Sequence, residues 1–94
     1  MILIAEFGSS PAAYGWQFDP WCKAAKESGA TPVKVQLFRA EHFPEWEQAS
    51  KKKLEFPRGS YMGFVHAAHR HGMKAGASVF DTDAVGTATY GDFI

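Results

Sequence analysis

The chain lacks several features that would assign it to particular classes of protein. Its 94 residues include one cysteine, Cys22, which excludes an internal disulfide and favours a reducing compartment. The 10 Lys and Arg residues balance 10 Asp and Glu residues, so there is no electrostatic case for binding nucleic acid. No apolar run approaches the roughly 18 residues of a membrane span, and the N-terminus has no signal-peptide pattern. We therefore expect a cytoplasmic protein that binds neither nucleic acid nor membranes.

The composition is that of a folded domain, with 46% hydrophobic and 15% aromatic residues. Its clearest pattern is a period-2 alternation over Pro32–Phe38, which predicts a strand. Three apolar residues fall on one face of this strand and two polar residues on the other: Val33, Val35 and Leu37 against Lys34 and Gln36. Helical patterns on both sides imply a parallel sheet, whose faces are normally both covered. The two polar residues therefore need a functional explanation.

The N-terminal part of the chain predicts a strand followed by a helix. Ile2 to Phe7 is a short apolar run before glycine and serine, and Glu6 lies at its carboxyl end. Asp19 followed by proline is typical of a helix N-cap, and Gly29 of a helix end. The strand at Pro32–Phe38 then completes a βαβ unit.

A stretch of about twenty residues, 39–59, comes next; loops this long are usually functional or disordered. Within it, Glu45–Lys53 is compatible with either a short helix or a loop.

The C-terminal part repeats the strand and helix alternation. The spacing of Tyr61, Phe64, Val65 and Ala68 predicts an amphipathic helix that Ser60 opens and Gly72 closes. A third strand is expected over Lys74–Phe80. Asp81 or Thr82 can cap a final helix, and Asp92–Ile94 resembles the beginning of a fourth strand.

Three βα units in succession predict an α/β fold with parallel strands, and specifically part of a (β/α)₈ TIM barrel. Residues 1–94 would form the N-terminal segment of that barrel domain. A complete barrel needs more than about 200 residues, so we expect the barrel to be truncated. A small standalone three-layer sandwich is the structural alternative.

Four polar residues lie near the carboxyl ends of the predicted strands, where barrel enzymes place their active sites: Glu6, Lys34, Gln36 and Ser78. Lys34 can bind an anion or neutralise developing negative charge. Glu6 can act as a general base or accept a hydrogen bond from a sugar hydroxyl. The alternative is that Glu6 and Lys34 only satisfy each other as a buried ion pair, and spacing does not separate the two interpretations.

Other candidate features have simpler explanations. His66, His69 and His71 could suggest a metal site, but a solvated helix end, where imidazoles suit the helix dipole, explains them better. The run Lys51–Lys53 fits a solvated face better than a phosphate site. Cys22 has no evident histidine partner, so packing explains it. The sequence assigns no metal ligand.

Five segments resemble the sialic acid synthase (N-acetylneuraminate synthase) family in order and spacing. They are residues 4–8 (IAEFG, similar to IAEIG), 24–30 (AAKESGA, similar to AAKEAGAD), 33–36 (VKVQ, similar to VKFQ), 53–56 (KLEF, similar to LELS or LEFS) and 77–81 (ASVFD, similar to STPFD). The likeness extends over nearly the whole chain.

The resemblance implies a TIM-barrel transferase that condenses phosphoenolpyruvate with N-acetylmannosamine or a related amino sugar, using a divalent metal such as Mn²⁺ or Mg²⁺. It implies catalytic roles for Glu6 and Lys34 and substrate binding by Gln36 and Ser78, the serine standing where the family has threonine. The metal ligands of the family have no counterparts in this chain. Alone, the 94 residues are expected to be inactive.

The chain also departs from the family. Residues 9–15 (SSPAAYG) replace the family's Asn-His motif, which affects the expected sugar specificity and activity. The alternative function is a non-catalytic half-barrel module whose exposed strand edges bind a partner or a further copy of the chain. In either case we expect a homo-oligomer or association with the rest of a barrel.

Overall fold

A computed structural model describes residues 3–8, 11–12 and 15–94. Three strands form one parallel sheet in the order β1-β2-β3. They are β1 (Ala5–Gly8), β2 (Pro32–Leu37) and β3 (Lys74–Val79). The prediction of an α/β fold with parallel strands is confirmed.

Within the described residues, four α-helices connect or follow these strands. They are α1 (Phe18–Glu27), α2 (Glu45–Leu54), α3 (Tyr61–Arg70) and α4 (Thr82–Ala88), with short 3₁₀ turns at Ala40–His42 and Arg58–Ser60. The stretch 39–59 is therefore not an open loop, and the helical alternative for its middle part is the correct one. Helix α2 differs from a typical globular helix because it has no buried residue.

The core lies between the sheet and helices α1 and α3. On β2 the alternation is as predicted: Val33, Val35 and Leu37 have no exposed surface. Burying each of these side chains contributes roughly 1.5–3 kcal/mol. Aromatic rings complete the core on the helix side, with Phe18 stacked on Phe56 at 5.5 Å between ring centroids.

The helix ends agree with the sequence in one case and differ in another. Asp81 caps α4, because its Oδ1 accepts a hydrogen bond from the backbone N–H of Ala84 at 2.7 Å. Asp19 does not cap α1, which begins one residue earlier and has Gln17 at its N-cap without a side-chain hydrogen bond. The Asp19 carboxylate instead binds the guanidinium of Arg70 at 2.9 Å. The prediction of an Asp19 cap was wrong.

The first strand begins later than predicted, and a single bridge is found where the fourth strand was expected to begin. Leu3 and Ile4 precede β1 and are about half exposed, and Ile2, the first residue of the predicted strand, lies outside the described part. At the other end of the chain, Phe93 forms an isolated parallel bridge with Gly76. This bridge lies beside β3, within the segment where the sequence predicts a fourth strand.

Among the described residues, no helix combines the length and the apolar character needed to cross a bilayer.

Candidate functional site

The four candidate residues lie on one face of the sheet, opposite the helices; we call it the open face. Pairing of the strands sets Glu6 beside Lys34 and Gln36 beside Ser78. Paired positions on parallel strands point to the same face and are about 4.8 Å apart. Each of the four side chains is exposed or half-buried. The sheet thus brings together the residues that the sequence indicated, in two adjacent rows.

Glu6 and Lys34 contact each other directly. Lys34 Nζ lies 3.1 Å from Glu6 Oε2, and the two side chains are 30% and 38% exposed. Such a partly exposed pair contributes at most about 1 kcal/mol of stability. The contact predicted by the ion-pair interpretation exists, but the pair is not buried and both groups remain accessible to a ligand.

The backbone at the end of β1 positions the Glu6 carboxylate. The pairing of β1 with β2 is irregular between Glu6 and Gly8, as in a β-bulge. Gly8 adopts a φ of 55°, which favours glycine, and its N–H donates a hydrogen bond to Glu6 Oε1 at 2.9 Å. One carboxylate oxygen is therefore held by the backbone and the other by Lys34. This arrangement fixes the carboxylate at the carboxyl end of the strand.

Gly76 is paired with Lys34 and continues the first row onto β3, where it leaves room above the strand. A Cβ atom at this position would collide with the ring and the carbonyl of Phe93. The Phe93 ring therefore lies over β3 beside the Lys34 row, which only glycine allows.

A second polar cluster, not foreseen from the sequence, lies just beyond β3. Arg58 Nη2 is 3.1 Å from Asp81 Oδ2, and His42 Nδ1 is 3.2 Å from the same oxygen. Burial would raise the pKa of Asp81, but the Ala84 N–H and Arg58 outweigh it and hold the pKa below its usual value. The carboxylate thus links three segments. In the sequence, the only feature that singled out a member of this cluster was the position of Asp81 as a candidate helix N-cap.

The histidines do not form a metal site. His69 contacts Asp92 at 2.8 Å and His71 contacts Asp19 at 3.3 Å, on different parts of the surface. Within the described ranges, no group of three or more His, Cys, Asp or Glu side chains could hold a metal ion. The residues present therefore do not fit the divalent metal that the family resemblance implies, and no chemical step is assigned to one.

Cys22 has no exposed surface, and burial raises the pKa of its thiol to about 11. A thiol of this kind is protonated at neutral pH and inert. This agrees with the packing role expected for it.

The fold and the open face define a class: consecutive βα units of a (β/α)₈ barrel with polar side chains near the carboxyl ends of the strands. Comparison with solved structures agrees with this class. The chain is similar to an N-acetylneuraminic acid (sialic acid) synthetase from Leptospira borgpetersenii serovar Hardjo-bovis, solved in complex with citrate, with a TM-score of 0.79 and 20% sequence identity.

The match covers 92% of this chain and 31% of the synthetase chain, so the chain spans about a third of the length of that protein. At this identity the likeness establishes the fold. No protein-family model matches the sequence, and no curated protein does so.

Proposed function

We propose that this chain supplies the first strands of a barrel that performs a sialic-acid-synthase-type condensation of phosphoenolpyruvate with N-acetylmannosamine or a related amino sugar. The observation that supports the proposal is the pair of rows on the open face, Glu6 with Lys34 and Gln36 with Ser78. The fold shared with a sialic acid synthetase is consistent with it.

Each residue has a role suited to its chemistry. Lys34 binds the anionic end of phosphoenolpyruvate and stabilises developing negative charge. Glu6 accepts a hydrogen bond or a proton from a sugar hydroxyl, since one of its oxygens is already oriented by the Gly8 N–H. Gln36 and Ser78 supply hydrogen bonds to the substrates. A divalent cation, Mn²⁺ or Mg²⁺, would need ligands other than the described residues.

Binding of phosphoenolpyruvate to the 94-residue chain tests the site. In an NMR titration, we expect shifts at Lys34, Gln36 and Ser78, and Lys34→Ala should weaken binding about tenfold or more through loss of a charge-assisted hydrogen bond. Lys74→Ala is the matched control, because Lys74 is the first residue of β3 and lies at the amino ends of the strands, whereas the site lies near their carboxyl ends. Equal binding by Lys34→Ala and wild type would refute the assignment.

A specific observation favours a second candidate, the non-catalytic module. Strand β1 has a neighbour on one side only among the described strands, and Leu3 and Ile4 are 50% and 53% exposed next to it. Unpaired strand edges readily accept a further strand. In this alternative, another copy of the chain covers the edge and the open face.

A further inference from the structure

A groove distinct from the open face lies beyond the carboxyl end of β2. It has a volume of about 530 Å³. Its walls come from three segments: the 3₁₀ turn after β2, helix α2, and the residues before α3. The residues that matter are Arg39, Ala40, Lys52, Glu55, Phe56 and Arg58. None of the four residues of the open-face site lines it.

Positive groups outnumber negative ones in this groove. Arg39, Lys52 and Arg58 line it together with two carboxylates, Glu41 and Glu55. A third carboxylate, Asp81, contacts Arg58 from outside the lining.

Glu55 is fully engaged. Its Oε1 accepts a hydrogen bond from the Ala40 N–H at 3.1 Å and its Oε2 lies 2.8 Å from Lys52 Nζ. Burial would raise the pKa of Glu55, but Lys52 and the Ala40 N–H together lower it. Glu55 therefore remains ionised and is held by the Ala40 N–H and by Lys52.

The two arginines have unused donors. The Nε atoms of Arg39 and Arg58 are buried and have no hydrogen-bond partner among the described residues. The position of Arg58 is set by Asp81, which its Nη2 contacts at 3.1 Å. Among the described residues, Arg39 forms one ion pair, a 3.6 Å contact with Glu41, and its side chain is 42% exposed. Arg39 can therefore turn toward an acceptor in the groove.

The floor of the groove is apolar. Phe56 is 1% exposed and Ala40 is 4% exposed. Guanidinium groups match the paired oxygens of carboxylates and phosphates. We propose that this groove is a second anion site, which binds a small organic acid or phosphate through Arg39, Lys52 and Arg58.

Ligand binding here would act on α2. This helix buries no residue, and its described attachments are mainly polar, such as the Gln48 side-chain amide donating to the Phe43 carbonyl at 3.0 Å. An anion held between Arg39, Lys52 and Arg58 would connect α2 to the segments on both sides of it. The site is thus a means of ordering a weakly packed helix.

The test is an NMR titration of the 94-residue chain with inorganic phosphate and, separately, with succinate. We expect saturable shifts at Ala40, Ala49 and Lys52, and slower amide hydrogen exchange across α2, by up to about tenfold at a ligand concentration ten times Kd. A response to phosphate alone identifies a phosphate ligand, and a response to succinate alone identifies a carboxylate ligand. Sodium chloride at matched ionic strength controls for screening.

Variants localise the binding. Arg39→Gln and Lys52→Gln should each weaken it about tenfold, as expected for loss of a charge-assisted hydrogen bond. Arg39→Lys keeps the charge but loses the paired N–H donors of the guanidinium, so it should weaken binding by an intermediate amount. Lys53→Gln is the matched control on the same helix and should bind as wild type, because Lys53 does not line the groove. An unchanged Arg39→Gln response, or shifts reproduced by chloride, would overturn the proposal.

Discussion

Tyr61 lies against Gly91, which is in the segment that follows α4. Tyr61 is 1% exposed, and its hydroxyl has no hydrogen-bond partner among the described residues. Burial, with the nearby Asp92 carboxylate, raises the pKa of Tyr61 to about 12. Gly91 lies against this hydroxyl, and a Cβ atom there would also lie 2.9 Å from the Ala75 carbonyl oxygen. Glycine is needed at position 91 because the Tyr61 hydroxyl and the Ala75 carbonyl already fill the space that a Cβ atom would occupy.

Gly91→Ala should therefore lower the free energy of unfolding by about 1–3 kcal/mol through overpacking, as measured by urea denaturation. Gly86→Ala is the matched control, because a Cβ at this α4 position meets nothing within 4 Å; it should be neutral or stabilising by up to about 1 kcal/mol. Tyr61→Phe, which removes the unpartnered hydroxyl, should rescue part of the Gly91→Ala loss. A Gly91→Ala variant as stable as Gly86→Ala would contradict this account.

At the scale of elements, Asp92 attaches the beginning of the fourth strand to β3. Its Oδ2 accepts a hydrogen bond from the Ala75 N–H at 2.8 Å, and its own N–H donates to the Ala75 carbonyl at 2.7 Å. The Ala75 N–H and then His69 lower the pKa of Asp92 below its ordinary value of 3.8. The folded state therefore favours the carboxylate over the protonated acid.

The lowered pKa of Asp92 predicts how the free energy of unfolding changes at acid pH. Because folding depresses the pKa, the stabilisation is complete above pH 3.8 and is lost as the pH falls through the lower pKa of the folded state. The free energy of unfolding should fall in this range, and Asp92→Asn should flatten that fall in urea titrations at several pH values. Asp83→Asn, in the first turn of α4, is the control. An equal acid slope in Asp92→Asn and wild type would exclude this role.

The elements also show where sequence reasoning succeeds and where it does not. Strand β2 was predictable because Val33, Val35 and Leu37 alternate with polar residues, and burial follows that alternation. The sequence of α2 is compatible with either a helix or a loop, because it has no apolar stripe that would indicate a buried helix. The false cap at Asp19 arose because Arg70, 51 positions away in the chain, binds its carboxylate, and local signals contain no such information.

The same reasoning applies to the sites. The open-face residues were predictable because they lie near the carboxyl ends of the predicted strands, where barrel enzymes place their active sites. The contact of Glu6 with Lys34 was one of two interpretations of the sequence, and its half-exposed character depends on how the strands pack. The cluster around Asp81 and the anion groove could not be foreseen, because each joins segments that only tertiary packing brings together.

At the scale of the whole molecule, the sheet has surface available for contact with a further strand or another chain. An apolar groove of about 320 Å³ lies beside β1 and includes Leu3, Ile4 and Ala24 among its lining residues. Together with the open face, it provides a surface that a further strand and helix could cover. This is the structural basis of the second candidate function.

If a second copy covers that surface, light scattering of the purified chain should give a mass of at least two chains, each of 10.4 kDa. Ile4→Lys should shift the chain toward monomer, because a charge beside a strand edge discourages pairing. Val85→Lys, an apolar-to-lysine change on the exposed side of α4, is the matched control and should leave the mass unchanged. A monomer at every concentration would refute self-association.

The order of the strands in space, β1-β2-β3, repeats their order along the chain. Each new strand therefore adds to a neighbour that has already been synthesised, and no strand must wait for a later one to separate two others. Sequential addition of this kind suits folding during translation, when N-terminal segments are available first. The strand order is therefore compatible with addition of each strand to an earlier one during synthesis.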